Sequence, residues 1–295
     1  MSSVTMRALL AESIDYAGLF PPAAQSMRAV VANYDAYRRS TDAWALGRLI
    51  VPAVRLTELW ERGSQLERGH GPTWRVSAVS GGDVAKDSEQ IAAFNAVADG
   101  AMLVDVAEVR ASSVAEIRAV TRAFAEFSSV FIEIPLTHEL PTLLDAIVSG
   151  GAKAKIRAGG TVQDAFPSPV DVGRFLRGCV ERALPFKATA GLHHPLRGAY
   201  PLTYERNAAC ATMFGFLNML LAASLARAGA DESTIIEMLG ESDRAALTFD
   251  DEGATWRGMR IPRVAIADTR TKSCLSFGSC SFREPLDELL TLGML

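Results

Sequence analysis

The chain predicts an α/β fold, a single (βα)8 TIM barrel spanning residues 1–295, and three observations carry that expectation. Short apolar strands alternate with amphipathic helices at a spacing of roughly 25 to 35 residues, the rhythm of repeated strand-helix units. The strands are too continuously apolar to face water, as parallel strands covered by helices must be. No GxGxxG, no GxxxxGK[ST] and no repeat of fixed period competes with that reading.

In order, residues 4–12 predict a short helix leading into DYAGLF, a first strand stopped by Pro21-Pro22. Residues 25–39 place Val30, Val31, Tyr34 and Tyr37 at helical spacing, and LGRLIVPA at 46–53 is a compact apolar strand. Helix 56–68, strand WRVSAVSGG, helix 87–98 and strand AMLVDVA at 101–107 follow. Ser113 then N-caps a helix to Phe127 with Glu116 at capping-box spacing, before strand SVFIEIPL and helix 138–149. AKAKIRAGG is the sixth strand, 168–183 a helix with Pro169 in its first turn, and PFKATAG the seventh strand. After Pro195 the rhythm loosens into a long helix at 203–228, a helix from Asp231 to about Leu239, and LTFDDEGATWRG, a β-hairpin with Glu252-Gly253 near its tip. CLSFGSCSF at 274–282 supplies the eighth strand and EPLDELLTLGML a closing helix.

The bulk numbers narrow the partners. Hydrophobic content of 49% with 22% charge describes an ordinary globular chain, and a net charge of −4 argues against nucleic acid. Four scattered cysteines with no CxxC suit packed thiols in a reducing cytoplasm. The N-terminus carries Glu12 early and has no continuous apolar core, unlike a secretory signal. The most apolar run, Phe214 to Ala226, is interrupted by Asn218 and falls short of the roughly 20 residues of a membrane span.

Lysine usage locates the chemistry. The chain has five lysines against twenty-five arginines, yet Lys153, Lys155 and Lys187 all lie between Gly151 and Pro195. Unlike arginine, lysine can lose its proton and act as a nucleophile or base. Period-2 alternation puts Lys153, Lys155 and Arg157 on the inward face of the sixth strand, Lys187 and Thr189 on that of the seventh, Glu133 on the fifth and Asp105 on the fourth. Helices cannot cover these charges cheaply, so they belong to the barrel axis. The excess of cations invites a small anion, a carboxylate or phosphate, and their crowding is expected to lower a lysine's pKa. The loop after Lys187 adds His193, His194 and Arg197, the loop after the eighth strand adds Ser279, and Asp15 is either a site carboxylate or a turn-former. Lys153, at the start of its strand, falls near the barrel's lower end, where a carboxylate is expected to pair with it. His70 and His138 lie beside helix ends and are given no role.

The K-A-T-A-G run at 187–191, with a second lysine on the preceding strand, resembles the paired-lysine arrangement of class I, Schiff-base aldolases of the deoxyribose-phosphate aldolase type. The resemblance covers two strands of eight, and Arg157 and Leu192-His193-His194-Pro195 depart from it. The longer strings IDYAGLFPPA and KATAGLHHPLRG are similar to those of a bacterial barrel family without a settled activity. The aldolase resemblance implies that Lys187 or Lys155 forms an imine with a carbonyl substrate, the other lysine tunes it and Asp105 relays protons, with no cofactor. The residues themselves favour Lys187 as the imine former, Lys155 and Arg157 as its electrostatic setting, and Glu133 or Asp105 as proton carriers. Two further classes stand beside it. One is a metal-assisted hydrolase, lyase or isomerase using His193 or His194 with Glu133, Asp105 or Asp15. The other is a non-catalytic anion-binding barrel, and helix 203–228 with its hairpin is a candidate homo-oligomer surface.

Overall fold

A computed structural model describes residues 3–66, 72–127 and 129–295, so His70 and the end of helix 56–68 lie outside the described residues. Eight parallel strands close into a barrel: β1 (Ile14–Tyr16), β2 (Leu46–Pro52), β3 (Trp74–Val79), β4 (Met102–Arg110), β5 (Val130–Glu133), β6 (Lys153–Arg157), β7 (Phe186–Thr189) and, last in the chain, Cys274–Ser279. Between β7 and that last strand lie a hairpin, β8 (Gly198–Pro201) and β9 (Cys210–Met213), and a three-stranded antiparallel sheet, β10 (Leu247–Phe249), β11 (Gly253–Trp256) and β12 (Met259–Pro262). The last barrel strand is therefore β13; it pairs with both β7 and β1 and closes the ring.

Outward residues of the strands, such as Val104, Ile132, Ala154, Ile156, Phe186 and Ala188, join the apolar layer under the helices. Local chemistry sets the helix starts. Ser26, Asp83, Ser113, Ser168 and Asp231 each accept a backbone N–H in the first turn of the helix they open. At Ser113 the reciprocal arm of the capping box slips by one residue: Glu116 accepts from the backbone N–H of Ser112 at 2.6 Å.

Three expectations after Pro195 need correction. The helix expected over 203–228 is only Phe216–Arg227, because Pro201 and the β-favouring Tyr200 and Thr212 build the β8–β9 hairpin first. The helix opens at Gly215, where a Cβ would lie 2.2 Å from the Pro195 carbonyl oxygen. Every residue from Phe216 to Ala226 is buried within the chain, so this helix offers no dimer surface. Asn218, the polar interruption, satisfies backbone there: its Nδ2 donates to the carbonyls of Met238 and Glu241, and its Oδ1 accepts from the N–H of Arg197. The hairpin expected around Glu252-Gly253 gains a third strand, β12, turning at Arg257-Gly258, and a helix at Arg263–Lys272 leads from it into β13. Among the described residues no helix is long and apolar enough to cross a membrane.

Candidate active site

One register irregularity decides which acid reaches the centre. Between β3 and β4, Val76 pairs with Val104 but Ser77 pairs with Val106, so Asp105 is the extra residue of a β-bulge. Below the bulge Val104 faces the helices; above it Ala107 and Val109 do, which turns Val106, Glu108 and Arg110 inward. Strict alternation therefore identifies Asp105 and misses Glu108. Asp105 lies toward the N-terminal ends of the strands, bound by Arg48 through Nε at 2.6 Å and Nη2 at 2.7 Å, with Arg75 at 3.6 Å, and it does not line the cavity described below. The same lower end holds Lys153, whose ammonium donates to the Ser129 hydroxyl at 2.6 Å, where a carboxylate was expected.

From the barrel's centre to its upper mouth the ionisable side chains form one file of alternating sign. Asp15, 1% exposed, accepts from Lys187 Nζ at 2.6 Å and from the Ser276 hydroxyl at 2.7 Å. Lys187, also 1% exposed, reaches Glu108 Oε1 at 2.6 Å, an oxygen that also accepts from Ser77. Glu108 Oε2 lies 2.8 Å from Lys155 Nζ, and Lys155 lies 2.9 Å from Glu133 Oε2. Glu133 Oε1 finally meets Arg110 at 2.9 Å and Arg157 at 3.2 Å. Those two arginines are substantially solvent-exposed, so the file runs from dry interior to open mouth. Three carboxylates face four cations, leaving one positive charge in excess.

The electrostatics of the file follow from its pairing. Burial alone would push Glu108 up, but Lys155 and Lys187 outweigh it and hold the carboxyl far below its ordinary 4.5. Glu133 is lowered in the same way, by Lys155 and then Arg157 and Arg110 against its burial. Burial would lower Lys187, yet Asp15 and Glu108 prevail and raise it, the reverse of the expected depression by crowded cations. Two carboxylates are the reason: Asp15 turns onto Lys187, and the bulge brings in Glu108 beside it.

Above the file lies a cavity of about 400 Å3 at the C-terminal ends of the strands, the end where barrel enzymes carry their sites. Glu108, Glu133, Lys155, Arg157, Thr189 and His193 line it, together with Arg110, Cys280 and the Ser80-Gly81-Gly82 turn. Arg110, Glu133 and Arg157 also line an adjoining groove over the β4–β6 loops, so the arginines stand between two hollows. Lys187 and Asp15 are below the floor and outside the lining. Ser279 is buried, with its hydroxyl 3.2 Å from His193 Nδ1. His194 turns away, bonded to Glu288 at 2.6 Å and stacked on Tyr200, and Arg197 packs over the Phe214 ring at 4.8 Å.

A scan against protein-family models gives no match, and no curated protein matches the chain.

Of the residues expected at the site, Lys155, Arg157, Glu133, Thr189 and His193 converge on the cavity, Lys187 and Asp15 support its floor, and Ser279 stands behind His193. His194 and Arg197 brace the rim, while Asp105 belongs to the other end. Sequence reasoning passed over Glu108 and Arg110. Their signal was the i, i+2 spacing Glu108-Val109-Arg110, legible only to a reader who carried β4 past Ala107.

Proposed function

We propose that the protein is a barrel enzyme acting on a small anionic carbonyl compound through an imine, a Schiff-base lyase in reaction type, with Lys155 as the amine. The supporting observation is that Lys155 alone of the two central lysines is open to the cavity, while Lys187 is sealed beneath it. Arg157 and Arg110 bind the substrate's carboxylate or phosphate. In doing so they are drawn from Glu133, which becomes basic enough to take the proton of Lys155. The free Nζ attacks the carbonyl carbon and a proton passes from nitrogen to the oxygen to give the carbinolamine; Glu133 returns its proton to that hydroxyl, and water leaves to give the iminium. Glu133 then takes the proton of the substrate's β-hydroxyl, that fragment leaves as an aldehyde and the iminium accepts the electron pair of the broken carbon–carbon bond as an enamine. Glu133 returns the proton to the enamine carbon, and hydrolysis releases the second product and restores Lys155. Lys187 positions Glu108, which keeps the Lys155 side chain oriented toward the cavity.

Borohydride reduction in the presence of a panel of aldehydes, keto acids and sugar phosphates tests this reading. Mass spectrometry is expected to find a substrate-dependent adduct on the peptide carrying Lys155, absent in Lys155→Arg. No adduct with any carbonyl compound, or one confined to Lys187, overturns it.

A further inference from the structure

Apart from the alternating file, a second set of donor atoms converges at the cavity's rim. His193 follows β7, Cys280 follows β13, and Glu284 lies in the first turn of the closing helix, Arg283–Thr291. One nitrogen, one sulfur and one carboxylate oxygen from these residues all lie within 4.8 Å of one another. We propose that this cluster is a binding site for a divalent transition-metal ion of the zinc type, with His193 Nδ1, Cys280 Sγ and Glu284 Oε2 as its protein ligands.

The spacing fits. Sγ lies 3.5 Å and Oε2 3.9 Å from Nδ1, near the separation of about 3.5 Å that tetrahedral bonds of about 2.0 to 2.3 Å place between neighbouring ligands. The orientation distinguishes an ion site from a thiol–imidazole–carboxylate triad. In a triad the acid and the nucleophile bond opposite ring nitrogens; here thiol and carboxylate both approach Nδ1, so the three donors aim at a shared point. The donor types suit such an ion: an imidazole nitrogen, a thiol sulfur and a carboxylate oxygen are the zinc ligand classes. A bound dication would take Cys280 as the thiolate and release its proton to solvent. An outer layer is in place: the Tyr204 hydroxyl lies 3.0 Å from Glu284 Oε2 and 3.3 Å from Cys280 Sγ, and the ion would displace the Ser279 hydroxyl, now 3.2 Å from Nδ1. Because His193 and Cys280 line the cavity, the ion stands at its edge, with a fourth position available to water or a substrate oxygen. This inference does not depend on the imine reading. A neighbouring set, His194, Glu284 and Glu288, shares Glu284 and is the competing location.

The test uses the full chain, freed of metal by chelation and titrated with Co2+ and then Zn2+ by absorption and calorimetry. One Co2+ per chain is expected, with a near-ultraviolet thiolate-to-cobalt band that Zn2+ abolishes and that Cys280→Ser lacks. His193→Ala and Glu284→Gln should weaken binding by about tenfold or more, and Glu288→Gln should leave it unchanged. Absence of the thiolate band in the unsubstituted protein, or binding that survives Cys280→Ser and disappears in Glu288→Gln, overturns the proposal.

Discussion

With carboxylates 2.6 Å away on two sides, the Lys187 ammonium contributes to stability only while both partners stay in place. Replacing it with methionine would leave Asp15 and Glu108 buried without their shared cation, and the expected loss in denaturant unfolding at pH 7 is about 3–5 kcal/mol. The pH dependence has a definite sign. Glu108 and Glu133 are lowered in the folded protein, so their contribution is present above about pH 4.5 and is lost as pH falls below it. Lys187 is raised, so its contribution is full below its ordinary 10.5 and is lost as pH climbs beyond. The file's contribution to unfolding free energy should therefore be flat across neutral pH, and Lys187→Met should lessen the alkaline decline. At this scale the sequence was informative wherever strands alternate without interruption, because a charge on the inward face of an apolar strand has few places to go. Lys155, Arg157, Glu133 and Thr189 were legible for that reason. The paired state of Lys187 was not, since it depends on a carboxylate 79 residues away.

At the scale of elements, the bulge in β4 and the glycine before Phe216 do the positioning. The bulge reverses the parity of one strand and so exchanges Asp105 for Glu108 at the centre, an event that a period-2 rule has no means to register. Gly215 lets the chain leave the His193 loop and enter a helix directly under Pro195 and Leu196. A Cβ there would lie 2.2 Å and 2.4 Å from backbone atoms of those residues, neither of which can rotate aside. Gly215→Ala should cost about 1–3 kcal/mol in thermal or denaturant unfolding, and it should weaken Co2+ binding at His193 as well. Helices with a side-chain cap were placed from the sequence to within a few residues. The β8–β9 hairpin was not, because an apolar helix directly after it drew the helical reading backward over Cys210–Met213 to residue 203.

For the whole molecule, the surplus positive charge at one end of a chain of net charge −4 predicts selective stabilisation by anions. Phosphate or small dicarboxylates at about 100 times their dissociation constant should add about 2.7 kcal/mol, read as a rise in Tm. Arg157→Gln combined with Arg110→Gln should abolish that rise while leaving the Tm without ligand nearly unchanged, since both side chains are exposed. The barrel itself was legible from the strand-helix rhythm, because parallel strands buried on both faces cannot be written without long apolar runs. What lies between β7 and β13 was not, since those elements decorate the ring and answer to no period.

The innermost four groups of the alternating file also divide the barrel by sign. Asp15 and Glu108 come from the first four strands; Lys155 and Lys187 come from the last four. Each half, closed on a copy of itself, would separate Lys187 from its partners Asp15 and Glu108, whereas the two different halves bring them together. Duplication of either half into a symmetric barrel is thus disfavoured, and a chain split before β5 has one matching partner: its own other half.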